Sequence, residues 1–266
     1  MPFLKMHGLG NDFVIIDARI RAFDVTPERA SRLACRRRGI GCDQFIIMRP
    51  SDSADVFMEI WNADGSCVGA CGNATRCIGQ LLLDETGNNK VLIETEAGLL
   101  SAVRAGANVS VNMGMAQLEW DQIPLAEKSP TDTANLSVAG LTGPGCVNMG
   151  NPHAIFFVED AEAVDLEAIG PQIENHSFFP ERVNASVVSI QGGIIRQRVW
   201  ERGAGITEAC GSGACAAVVA ATRRGLTGRK ATVRLDGGDL EMEWLEDGTV
   251  QMTGPATFVF KGETPL

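Results

Sequence analysis

The second half of this chain repeats the first. Gly10-Asn11 recurs 140 residues on as Gly150-Asn151, and each pair precedes an apolar run suited to a buried strand, Phe13-Val14-Ile15-Ile16 and Ala154-Ile155-Phe156-Phe157-Val158. Gln44 stands before Phe45-Ile46-Ile47 as Asn184 stands before Ala185-Ser186-Val187-Val188, again at an offset of 140. Trp61 pairs with Trp200, and ten residues past each comes Ala-Cys-Gly, at Cys71 and at Cys210. Each cysteine opens an apolar helical stretch that ends at a glycine, Gly87 or Gly225, and the match continues through Lys90 and Lys230, Gly98 and Gly238, Gly114 and Gly254. Chance does not produce so long a series in one register.

The repeat predicts an α+β protein of two pseudo-symmetric duplicated α/β domains, each with mixed strands wrapped around a central helix that starts at a cysteine. The expected boundaries are 1–117 for the first half and 118–255 for the second, with 256–266 a candidate to complete the first. The Pro-, Ser-, Thr- and Gly-rich segment from 118 to 146 reads as the changeover. Duplicated domains commonly face each other across a pseudo-two-fold axis, so equivalent positions, Cys71 and Cys210 above all, are expected on opposite walls of one cleft.

Composition narrows the function. The chain has 266 residues, is 45% hydrophobic and 21% charged, and carries 30 glycines, which is a globular composition. A formal charge of −10 leaves no basic surface for a phosphate backbone, so nucleic acid is not an expected partner. The one basic run, Arg36-Arg37-Arg38, follows Thr26-Pro27, an N-cap and a first-turn proline, and reads as cations at a helix C-terminus. No stretch approaches the roughly 18 apolar residues of a membrane span, and the first residues lack signal-peptide architecture, so a cytoplasmic protein is expected.

Eight cysteines in a chain this long need not be disulfides, and their spacing has no C-x2-C pair to hold zinc, so no metal is expected. Cys35, Cys42, Cys77, Cys146 and Cys215 read as small buried hydrophobes. Cys71 and Cys210 differ because they begin helices, where unpaired N–H groups and the dipole lower a thiol pKa from roughly 8.5 toward neutrality. Gly72-Asn73 and Gly211-Ser212 keep those helix starts open to an anion.

An amino acid between two such helix ends would lose its α-proton to one thiolate and gain one from the opposing thiol, inverting the stereocentre. Helix dipoles aimed at the carbanion make an electron-sink cofactor unnecessary, and Gly8-Leu9-Gly10 is no nucleotide fingerprint because it precedes a strand and lacks a third glycine. No cofactor is expected.

The repeat breaks at one place. Asn62-Ala63 of the first half becomes Glu201-Arg202 in the second. Arg grips carboxylates bidentately and Glu suits an ammonium group, so this asymmetric end fits a second amino-acid head; a surface ion pair is the other reading. Asn11, Gln44, Asn62, Asn151 and Asn184 are candidate neutral hydrogen-bond partners, each also readable as a turn or cap residue. His153 either tunes a cysteine proton or caps the following strand. Asp12 and Asp43 read as turn-stabilising.

At these residues the chain resembles diaminopimelate epimerase over nearly its whole length. The resemblance is carried by Lys5-Met6-His7-Gly8-Leu9-Gly10-Asn11-Asp12-Phe13, Asp43-Gln44, Asn62-Ala63-Asp64-Gly65-Ser66, Cys71-Gly72-Asn73, Met149-Gly150-Asn151-Pro152-His153, Pro180-Glu181-Arg182 with Asn184, Glu201-Arg202-Gly203-Ala204-Gly205 and Cys210-Gly211-Ser212-Gly213-Ala214-Cys215. It implies interconversion of LL- and meso-diaminopimelate without pyridoxal phosphate, in lysine and cell-wall precursor synthesis, by a homodimeric enzyme. It implies Cys71 and Cys210 as the acid–base pair, with His153 and Glu201 influencing them. Asn11, Gln44, Asn62, Gly72, Asn73, Asn151, Asn184, Glu201, Arg202, Gly211 and Ser212 would bind substrate. The chain departs from the commonest pattern at Ala74-Thr75, Ile206 and Cys42. Two rival readings are a proline or hydroxyproline racemase, which gives Glu201 and Arg202 no work, and a non-catalytic amino-acid-binding module with inert thiols.

Overall fold

A computed structural model describes residues 1–265. The chain forms two compact units, Met1–Asn112 with Thr253–Leu266, and Met113–Met252. The elements of the first are β1 (Pro2–Gly8), β2 (Asn11–Asp17), α1 (Pro27–Ala34), β3 (Gln44–Arg49), β4 (Val56–Asn62), α2 (Gly72–Thr86), β5 (Lys90–Thr95), β6 (Gly98–Ala105) and β7 (Asn108–Met115). The second opens with a small hairpin, β8 (Ser137–Val138) and β9 (Leu141–Thr142). It continues as β10 (Gly145–Asn148), β11 (Pro152–Phe157), α3 (Leu166–Glu174), β12 (Asn184–Gln191), β13 (Ile194–Glu201), β14 (Gly205–Ile206), α4 (Gly211–Arg223), β15 (Lys230–Leu235), β16 (Gly238–Trp244) and β17 (Thr249–Gly254). Finally β18 (Thr257–Glu263) pairs antiparallel with β1 in the first unit.

The duplication expected from sequence is present in the order and pairing of the main strands and helices. In the first unit β1 and β2 pair antiparallel, β2 and β3 parallel, β3 and β4 antiparallel, β4 and β5 parallel, β5 and β6 antiparallel. The second repeats this series from β10 to β16. Parallel neighbours require a crossover, and in each unit the two parallel pairs are bridged by the two helices. Register is kept as well, since Phe45 lies opposite Trp61 and Ala185 opposite Trp200.

The cysteine-led helices are the centres of their units. Residues 213–221 of α4 are all buried, an Ala- and Val-rich cylinder that has no polar face to show water. It packs against β10, β11, β12, β13, β15 and β16. Helix α2 packs on β1, β5 and β6 and crosses β6 closely at Gly79, where a Cβ would lie 2.5 Å from that of Ala102. It ends at Gly87, whose φ of 70° is left-handed and suits glycine.

Some expectations need correction. Helix α1 has its Thr26 cap and Pro27 start, but it ends at Ala34, before the arginine run. Arg36 instead reaches Asp12 and Asp43, at 2.7 Å each, because two clustered carboxylates attract a guanidinium more strongly than a helix terminus does. Cys35 is half-buried and not a core residue, and backbone N–H groups of Arg37 and Arg38 lower its thiol pKa. The other four structural cysteines, Cys42, Cys77, Cys146 and Cys215, are buried. The segment read as a changeover supplies Ile123, Leu125, Ala134 and Leu136 to the core of the second unit, around Phe156, Phe178 and Phe179.

Candidate active site

In the first unit the starts of β2 and β3 and the end of β4 lie at one end of the strands. That topology gathers Asn11, Gln44 and Asn62 at one end of the sheet, with Asn11 at the start of α2. Cys71 is the N-cap of this helix, with extended φ and ψ of −148° and 113°, and its side chain makes no capping bond. The Cys71 sulfur meets Asn11 Oδ1 at 3.9 Å, and Asn73 Nδ2 donates to the same oxygen at 3.1 Å. The Thr75 hydroxyl, one of the departures from the family pattern, donates to the Cys71 carbonyl at 2.9 Å and anchors the helix start.

The other end of the Asn11 amide donates to Asp43 Oδ2 at 3.2 Å. Asp12 and Asp43 exchange backbone-to-carboxylate hydrogen bonds, as turn residues do, at 3.1 and 2.8 Å. Burial pushes the Asp12 carboxyl up, but hydrogen bonds from Arg36, the nearly buried Lys5 and the Asp43 N–H together hold it well below the usual carboxylate range. Gln44 Nε2 donates to Asn62 Oδ1 at 3.0 Å, and Asn62 donates to the Ser66 hydroxyl at 3.1 Å. Gln44 Oε1 is buried and has no partner among the described residues.

In the second unit Cys210 is the N-cap of α4, with φ and ψ of −115° and 104°. Its sulfur lies 3.6 Å from the Ser212 hydroxyl, which lies 3.1 Å from His153 Nε2. That nitrogen is also 2.9 Å from Asn151 Oδ1. An amide oxygen only accepts, so the neutral ring carries its proton on Nε2 and donates it. The ring is fully buried, and desolvation, helped by the charge of Arg202, pushes the His153 pKa down to about 3. A neutral, donor-only histidine at Nε2 leaves the Ser212 proton to point at Cys210.

Cys210 does not follow the helix-start expectation. Burial raises its thiol pKa, as does the negative charge of Glu201, and hydrogen bonds from Ser212 and the Gly213 N–H only partly oppose them. Desolvation of a thiolate outweighs the dipole here.

The asymmetric wall is tied into the same unit. Thr207 Oγ1 donates to Glu201 Oε1 at 2.5 Å. The Arg202 N–H donates to Asn184 Oδ1 at 2.9 Å, and Asn184 Nδ2 donates to the Pro152 carbonyl at 2.9 Å, so Asn184 links β11 to the turn after β13. One Arg202 guanidinium nitrogen donates to the Glu181 carbonyl. Each unit thus joins its own candidates: Asn11, Cys71 and Asn73, and Gln44 and Asn62, in the first; Asn151, His153, Ser212 and Cys210, and Asn184 and Arg202, in the second. Gly72 and Gly211 are the opening residues of the two helices. Sequence reasoning missed Ser66, in the turn after β4, Thr207, just past β14, and the orienting role of Asp43. Only their proximity to Asn62, Glu201 and Gln44 in the chain could have marked them.

The fold built from two copies of one α/β unit is shared with solved structures. Over its whole length the chain is similar to a phenazine biosynthesis protein of the PhzF family from Bacillus anthracis, with a TM-score of 0.70 at 15% identity and 99% of that chain covered. It is similar too to a hydroxyproline epimerase from Agrobacterium vitis, with a TM-score of 0.68 at 16% identity, covering 98% of this chain and 91% of that one. Sequence narrows the class. The diaminopimelate epimerase family profile matches residues 3–119 and 145–259, and the diaminopimelate epimerase of Phenylobacterium zucineum (strain HLK1) is 54% identical over 99% of this chain and 98% of its own. The chain belongs to the diaminopimelate epimerase family.

Proposed function

We propose that this protein interconverts LL- and meso-diaminopimelate, with Cys71 and Cys210 as its two proton-transfer groups. One thiolate takes the α-proton, the other thiol returns one to the opposite face, and both thiols exchange roles in the reverse direction. The observation that carries this reading is that both cysteines cap the helix at the centre of their unit, each with a hydrogen-bonding side chain, Asn11 or Ser212, at its sulfur. No electron-sink cofactor enters, because helix N-terminal dipoles and N–H groups stabilise the developing negative charge; a single such donor is worth about 3 kcal/mol.

The unpaired Gln44 Oε1 is an acceptor suited to a substrate ammonium group. Glu201 and Arg202 are suited to the second amino-acid head, which a proline-type substrate lacks. His153 and Glu201 act on Cys210 in opposite senses, the first by orienting Ser212 and the second by holding the thiol proton. The remaining amides and Gly72, Asn73, Gly211 and Ser212 complete the binding set. A homodimer in the cytoplasm fits this family; Phe258, Val259 and Phe260 of β18 offer an exposed apolar strand for a second copy, and none of the eight cysteines forms a disulfide.

The test is incubation with LL-diaminopimelate in deuterated water, followed by NMR. Deuterium is expected at the α-carbon as the meso isomer appears, and Cys71→Ala and Cys210→Ala each abolish turnover. Near-normal turnover in either variant sinks the two-cysteine mechanism, and a wild-type protein that binds the compound without deuterating it is a binding module.

A further inference from the structure

Glu174, the last residue of α3, is a buried carboxylate that the mechanism above does not use. It is 5% exposed. Trp200 Nε1 donates to its Oε2 at 2.7 Å, the Gly203 N–H donates to its Oε1 at 2.9 Å, and the Arg182 guanidinium pairs with Oε1 at 3.1 Å. Trp200 and Gly203 are the residues immediately before and after Glu201-Arg202. One carboxylate therefore bridges both ends of a four-residue turn whose middle is the asymmetric wall. A buried carboxylate with a charged partner and two well-placed donors is a rigid anchor, since each lost bond would leave a buried polar group unsatisfied.

The duplication supplies a control inside the same molecule. In the first unit the equivalent tryptophan, Trp61, gives its indole N–H to Glu59, a residue of its own strand. The turn after it closes locally, with the Gly65 N–H on the Asn62 carbonyl at 3.0 Å, and backbone of α1 lies against it where a Gly65 Cβ would meet Pro27 at 2.4 Å. The second unit keeps the local closure, Ala204 N–H to Glu201 carbonyl at 3.1 Å, and adds the carboxylate from α3. The extra anchor occurs in the half where Glu201-Arg202 replaces Asn62-Ala63.

We propose that Glu174 is a positioning residue for substrate recognition: by bracketing Trp200 and Gly203 it fixes the direction in which Glu201 and Arg202 meet the second amino-acid head of the substrate. This rests on the reading of Glu201-Arg202 as the recognition wall. The anchor reaches the second head through Arg202, whose misdirection removes binding common to ground and transition states and raises KM; through Glu201, which also holds the Cys210 proton, it lowers kcat by less than KM rises.

Glu174→Gln keeps size and one acceptor, but its NH2 must face either the indole or the Gly203 N–H, a donor against a donor. KM for diaminopimelate is expected to rise at least tenfold with kcat within threefold. Trp200→Phe removes the indole donor, so in the double variant the single amide oxygen turns to the side of the Gly203 N–H and Arg182 and the NH2 no longer faces a donor. The double variant is therefore expected to bring KM back to within threefold of Trp200→Phe alone. A KM for Glu174→Gln within twofold of wild type, or an elevated KM that Trp200→Phe does not relieve, overturns the proposal. In wild-type protein, independent of any variant's folding, the Gly203 amide is expected to exchange with deuterium at least a hundredfold more slowly than an unprotected amide; exchange at the unprotected rate also overturns it. Arg202→Ala separates the two ideas. If its KM is unchanged the wall reading fails, and if only Glu174→Gln is silent, the positioning role alone fails.

Discussion

Asp43 accepts a hydrogen bond from the Asn11 amide at 3.2 Å, and that bond decides which end of the amide faces Cys71. A carboxylate only accepts, so it selects the NH2 group and turns Oδ1 toward the sulfur and Asn73. Asp43→Ala frees the amide to flip, and a flipped Asn11 presents a donor to Asn73 Nδ2. We expect kcat/KM to fall about tenfold, the size of one misplaced hydrogen bond of roughly 1.4 kcal/mol. Asp43→Asn, which keeps an acceptor, is expected to lose less. Equal, near-wild-type kinetics in both variants would remove Asp43 from the orientation of Asn11.

Gly79→Ala tests the packing of α2. The new methyl would lie 2.5 Å from the Ala102 Cβ, so β6 or the helix must shift, at a cost of about 1–3 kcal/mol that exceeds the roughly 1 kcal/mol gained in helix propensity. At so short a contact the upper part of that range applies, which leaves a net loss of about 1–2 kcal/mol and a thermal midpoint lowered by about 2–8 °C, on the scale of roughly 2–4 °C per kcal/mol for chains of this size. An unchanged or raised midpoint in calorimetry would show that the contact yields freely.

How far the sequence carries can be judged from these residues. The duplication, the cysteine-led helices and the amide positions are legible because repeats preserve register: Phe45 opposes Trp61 as Ala185 opposes Trp200. The sign of the Cys210 shift is not. A helix start is visible in Ala-Cys-Gly, but the burial that opposes it comes from the packed surroundings, which have no local signature. The role of Arg36 is hidden for the same reason, since its partners Asp12 and Asp43 lie on other segments. Glu174 looks like an ordinary helix-end acid, and only the fold brings it to Trp200 and Gly203, 26 and 29 residues on.

Ser212→Ala tests the hydroxyl beside Cys210. Burial and Glu201 already hold the thiol pKa high, and the Ser212 hydroxyl is among the groups that oppose them. Its loss raises the pKa further and leaves fewer thiolates near neutrality. A hydrogen bond to a charged group contributes about 1.5–3 kcal/mol, so kcat/KM is expected to fall roughly tenfold to a hundredfold, with the acid limb of the pH profile moved to higher pH. The fall must be equal in both reaction directions, because the equilibrium constant belongs to the substrates alone. An unshifted profile would show that the hydroxyl does not reach the thiolate.

His153 gives a pH dependence of stability. Its pKa drops from 6.5 in the unfolded chain to about 3 in the folded one, so below pH 6.5 the unfolded state binds the proton that the folded state refuses. Stability is therefore fully present above pH 6.5 and declines as pH falls toward 3, with a limiting slope of about 1.4 kcal/mol per pH unit from this one group. Carboxylates with unfolded values near 4 add their own loss only lower down, which leaves roughly pH 6.5 to 5 as the window in which His153 can be read. Denaturant unfolding of wild type and His153→Gln across that window is the measurement. The variant is expected to be less stable at neutral pH, where its amide replaces a well-placed ring, yet to have a shallower slope. Parallel slopes would mean that His153 takes up a proton in the folded protein, on the buried Nδ1 that has no partner among the described residues, and the downward shift of its pKa would fall.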